Sequence, residues 1–184
     1  MAIPLVAALA ALAAVAPAAA SVTRALDLRE LVAEADHVAV VRVVRQEARW
    51  HRGRIVTDVT LEVETSMKGA RAGETLVVRR LGGAIGDLGM RVEGEPEFID
   101  GERSVVFARS MRGVLRPVGM SQGVLPIQLD AGRAMVLPGG AGLSLVLPAP
   151  GNRFAPAPAA LLHPRPLDDL LGEIRLAVEE ARGR

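Results

Sequence analysis

The chain has 184 residues, with 22 basic and 21 acidic side chains, a formal net charge of +1 and no cysteine. The missing cysteine rules out disulfides and a thiol-linked acyl anchor. Near-neutrality removes both the counterion-release drive of nucleic-acid binding and the attraction to an anionic membrane. Trp50, Phe98, Phe107 and Phe154 are the whole aromatic set, so the core must be built from Val, Leu and Ile, which suit strands.

Residues 1–20, MAIPLVAALAALAAVAPAAA, carry no charged side chain and end in Ala18-Ala19-Ala20. A short apolar core before an A-x-A-like site predicts a secretory signal peptide cut after Ala20, which puts the protein in the periplasm or the medium. The alternative is an uncleaved membrane anchor, since about 20 apolar residues suffice to span a bilayer. Removing 20 residues from 184 leaves 164, enough for one domain with its own core.

The working chain divides into a β-rich domain over 21–147, a Pro-rich linker over 148–166 and an amphipathic helix over 167–184. Residues 25–35 predict a short helix. Asp27 is placed to cap it and Glu30 to complete a capping box, with Leu28, Leu31, Val32 and Ala35 on one face. Residues 38–44 are apolar on both faces apart from Arg42, which suggests a well-buried strand, and a polar loop with Arg52-Gly53 follows. Over 55–65, Ile55, Thr57, Val59, Leu61 and Val63 alternate with Asp58, Thr60, Glu62 and Glu64, the pattern of a half-buried antiparallel strand.

Further strands are expected over 75–81, 104–108, 114–120, 124–129, 134–137 and 143–147, with a tight hairpin at Asp130-Ala131-Gly132. The linker holds six of the twelve prolines and predicts an extended tether. In the last segment Leu167, Leu170, Leu171, Ile174 and Val178 form a stripe suited either to packing on the barrel or to binding a partner. The fold class is therefore mainly β, an antiparallel OB-like barrel or sandwich with a helix at each end.

Within 54–123 stand GRIVTDVTLEV, the MKG turn, GGAIGDLGMRVEGEPEF, DGERSVVF and GMSQG. This stretch resembles a group of uncharacterised exported bacterial proteins with a Gly-rich segment followed by "G-x-P-x-F-x-x-G-E". More distantly, the succession of helix, strand, long strand, "KG" turn and strand is similar to the netrin-like or metalloproteinase-inhibitor type of OB-fold domain. That resemblance implies a fold. Those domains use an N-terminal cysteine and disulfides, which this chain lacks, so their inhibitory mechanism is not carried over.

Two loops stand out as binding candidates. Trp50 and Arg52 mark an aromatic and basic tip, able either to anchor a partner or to cover the barrel end. Ile85, Asp87, Leu88 and Arg91 lie in the glycine-rich segment, read as a long barrel loop that lacks the following helix and Lys-Ser/Thr pair of a phosphate-binding loop. Asp87, Glu93, Glu95, Glu97, Asp100 and Glu102 crowd the same region, either as oxygen ligands for Ca²⁺ or as a solvated loop beside Arg91 and Arg103. No zinc spacing occurs among His37, His51 and His163. Gly119-Met120-Ser121-Gln122-Gly123 matches G-x-S-x-G, with Asp130 and His163 following in hydrolase order. The sequel to Ser121 predicts a strand where a nucleophile elbow needs a helix. The expected function is a non-enzymatic module, without cofactor or nucleic acid, that binds an envelope or secreted protein. The alternatives are a small serine hydrolase centred on Ser121 and a membrane-anchored structural envelope domain.

Overall fold

The computed structural model describes residues 21–157 and 163–183. The predicted signal segment and part of the proline-rich stretch lie outside them. A strand, β1 (Ser21–Arg24), leads to helix α1 (Leu28–Glu34). The predicted capping box forms. The Glu30 backbone N–H donates to the Asp27 carboxylate at 2.8 Å, and the Asp27 N–H donates to Glu30 Oε2 at 2.9 Å.

Two long strands follow, β2 (His37–His51) and β3 (Arg54–Lys68), then β4 (Thr75–Leu81). Their pairing corrects the loop expected after residue 44: β2 runs on through Arg45, Gln46 and Glu47 to His51, hydrogen-bonded to β3 throughout. This half of β2 reads as loop because much of it faces water, where polar side chains suit a strand as well as apolar ones do. Three register shifts between β2 and β3 bend the ribbon, as bulges do where a sheet must curl.

Next come a small hairpin, β5 (Gly83–Ile85) with β6 (Leu88–Met90), and two further strands, β7 (Arg103–Met111) and β8 (Val114–Pro117). β7 pairs antiparallel with β2, β8 pairs antiparallel with β7, and β8 meets β4 in parallel at Val78 and Leu115. The strands β2-β3-β4-β8-β7 thereby form a partly closed, barrel-like sheet.

A 3₁₀ turn at Met120–Gly123 leads into β9 (Val124–Asp130) and β10 (Arg133–Val136), joined by the predicted Ala131-Gly132 loop. With β13 (Arg165–Pro166) they extend the barrel sheet beyond β7. β11 (Leu143–Ala149) and β12 (Arg153–Pro156) instead join β1 in a separate three-stranded sheet. The tether expected from residue 148 is thus corrected in part. Pro148 pairs with Phe154 and Ala149 with Arg153, because prolines can sit on a hairpin whose outer edge needs no donor. The chain ends in α2 (Leu167–Arg182).

Two cores share one wall. Ala39, Val41 and Val43 of β2 and Val106 and Ala108 of β7 point into the barrel with Val59, Leu61, Val63, Leu76, Val78 and Phe98. The alternate residues, Val38, Val40, Val105 and Phe107, point outward and meet Leu31 and Val32 of α1 and Leu170, Ile174 and Val178 of α2. β2 is apolar on both faces because it separates the barrel interior from the helical layer. The stripe on α2 packs on the barrel.

Candidate functional site

The tip of the β2–β3 ribbon is a two-residue turn, Arg52-Gly53, with His51 opposite Arg54. Arg52 and Gly53 have φ of 50° and 74°, the left-handed pair of a type I′ hairpin. Gly satisfies the second position without strain. Arg at the first does not, so the turn holds this guanidinium at some energetic cost. Trp50 is 54% exposed. It therefore does not close the barrel end, the alternative role considered from sequence.

Beside this ribbon lies the glycine-rich segment, which folds as the β5–β6 hairpin rather than as a long open loop. Main-chain pairing of Gly83 with Met90 and of Ile85 with Leu88 places Gly86-Asp87 at the turn. The hairpin is fastened to the ribbon at its base. The Gly82 N–H donates to the Ile55 carbonyl at 2.9 Å, and the Thr57 hydroxyl donates to the Gly82 carbonyl at 2.6 Å. Gly83 allows this approach, since a Cβ there would come within 2.4 Å of Thr57 Oγ1 and 3.2 Å of Ala48 Cβ. The structure thus fastens the base of the glycine-rich hairpin to the ribbon that carries Trp50. Leu88 is 60% exposed, Asp87 and Arg91 face water, and Ile85 is half-buried.

The acidic residues of 87–102 take structural partners. The Glu95 side chain is only 5% exposed; it accepts from Arg116 Nη2 at 2.9 Å and from the Leu81 N–H at 2.9 Å. Glu93 lies 3.6 Å from Arg91, and Asp100 accepts from Gln46 Nε2 at 3.0 Å. Among the described residues no three acidic or His groups converge as metal ligands. Phe98 is buried in the barrel core, and the backbone after it pairs with Val43 through Gly101 N–H at 2.8 Å. The "G-x-P-x-F-x-x-G-E" stretch therefore plugs and seals the barrel.

The G-x-S-x-G segment is likewise built into the fold. Ser121 is buried, and its hydroxyl donates to the Ala141 carbonyl at 2.9 Å. Buried Gln122 accepts from the Leu26 N–H at 2.8 Å and donates to the Arg24 carbonyl at 3.1 Å, buckling the β1–α1 segment to the barrel. Asp130 stands beside the turn joining β9 to β10, and His163 lines a separate cavity with Gln122, Leu145 and Arg165.

Sequence reasoning missed one feature. The 82–102 segment and the 121–142 segment enclose a cavity of about 880 Å³, with Arg80 and Arg91 among its lining residues. Arg80 shares a strand face with buried Leu76 and Val78, while Val77 between them is exposed, so the alternation is the one local signal that this arginine is drawn inward. No family model, curated protein or solved structure matches the chain.

Proposed function

We propose that this chain is an exported, non-enzymatic binding module that contacts an envelope or secreted protein through its barrel loops, using neither nucleic acid nor a cofactor. One observation carries the reading: the Trp50 ribbon and the β5–β6 hairpin are fastened side by side while Trp50 and Leu88 stay exposed. Trp and Arg are favoured anchor types in protein interfaces, and rigid hairpins lose little entropy on docking. Residues 1–20 support export. The commitment of the Ser121 hydroxyl to Ala141 favours binding over hydrolysis.

The test is affinity capture from envelope and secreted fractions with the tagged full chain, beside Trp50→Ala and Leu88→Ala. The expected result is one protein enriched by the parent and lost from both variants, each melting as the parent does. A protein retained equally by both variants contradicts the surface.

A further inference from the structure

The cavity of about 880 Å³ is lined by an arginine, Arg80, that forms no ion pair within 4 Å among the described residues. Arg80 is half-buried on its wall. Of its donors, only Nη1 reaches a protein acceptor among the described residues, the Leu81 carbonyl at 3.5 Å, while Nε is buried without one. The inner carboxylates are already engaged: Glu95 by Arg116 and the Leu81 N–H, Glu93 by Arg91. Glu97 and Glu102 line the same cavity but are exposed at its mouth. Burial pushes the Arg80 guanidinium below its ordinary pKa, with Glu95 and Glu97 opposing the shift. It stays charged, because arginine does so under all ordinary conditions.

The remaining lining includes Met90, Val92, Phe98, Ile99, Val124 and Pro126. A cavity of about 880 Å³ is of small-molecule size. We infer that it binds a monocarboxylate with an apolar body, the carboxylate meeting Arg80 and the hydrocarbon lying along the Phe98 and Val124 walls. A guanidinium and a carboxylate match in planar, two-point geometry. The exposed glutamates at the mouth disfavour multiply charged anions such as phosphate esters. This inference stands apart from the protein-binding surface, whose exposed tips at Trp50 and Leu88 do not line the cavity.

The probe is octanoate, titrated by NMR into the isotope-labelled full chain, with octanol and octylamine as matched controls. Saturable shifts at residues 80, 98 and 124 are expected, with both controls weaker by about tenfold or more, the worth of a charge-assisted pair. Arg80→Gln should lose that advantage and Arg80→Lys retain part of it. Should Arg80→Gln fail to fold, Gln128→Glu decides. It adds a carboxylate to the cavity lining at an exposed position and should weaken octanoate several-fold. No saturable octanoate binding, equal binding of octanol, tighter binding of octylamine, or a Gln128→Glu variant that binds as the parent does would each overturn the inference.

Discussion

Arg52 shows a side chain held where the backbone does not favour it. Its φ of 50° is tolerated better by Asn than by Arg in a type I′ turn. Arg52→Asn should therefore stabilise the chain by about 0.5 kcal/mol, read as a raised Tm, while weakening capture of a partner. A lowered Tm contradicts this account of the turn. Gln122 has the opposite character, since both ends of its amide bond the β1–α1 backbone. Gln122→Ala leaves a buried N–H and carbonyl unpaired and should cost about 1–3 kcal/mol in urea unfolding. At Ser121 a fluorophosphonate should label nothing, because the hydroxyl donates to a carbonyl and no histidine hydrogen-bonds to it among the described residues. Stoichiometric labelling would restore the hydrolase reading.

Among the elements, α2 does more than end the chain. Leu170 and Ile174 are fully buried against the outward faces of β2 and β7. Ile174→Ala should cost about 2–5 kcal/mol, the range for emptying a packed core site. A cost near zero in denaturant titration would mean that the helix is not seated on the barrel. This packing also explains what was legible in the sequence. The period-two alternation of 55–65 and the double apolar face of 38–44 reported the barrel wall and the layer behind it. The Asp27/Glu30 spacing reported the helix cap. The second half of β2 was not legible, because a ribbon standing in water carries polar residues on a strand. Closure of the ring at Val78 and Leu115 leaves no local signal, since it depends on residues far apart in the chain. The candidate loops were legible as glycine-rich and aromatic tips. Their union was not, because it rests on a missing Cβ at Gly83 and on main-chain bonds to Gly82.

For the whole molecule, ion pairs on the barrel-like sheet and at the β1–α1 junction tie stability to pH. Asp58 accepts from Arg79 at 2.6 Å and 2.9 Å and from Arg49 at 3.0 Å. The Arg79 bond, more than any other influence, holds its carboxyl below the ordinary value. Glu30 is lowered in the same way, chiefly by Arg24 and then by the Asp27 backbone. Both groups bind protons more weakly folded than unfolded. Their contribution is therefore complete above the unfolded values near pH 4 and is lost as pH falls through the folded ones. Asp58→Asn should be less stable than the parent at pH 7, with the gap closing towards pH 3 in urea titrations. A gap that widens on acidification contradicts the sign. The same barrel leaves its helix-covered side closed and its hairpin tips free, and the functional account depends on those tips acting as one surface. The most direct measurement places a photo-crosslinking amino acid at position 50, at position 88 or, as a control, at exposed Leu176 on α2, in the cell that makes the protein. The account predicts the same protein adduct from positions 50 and 88 and none from 176. Adducts to different proteins from the two hairpins, or the same adduct from position 176, would contradict it.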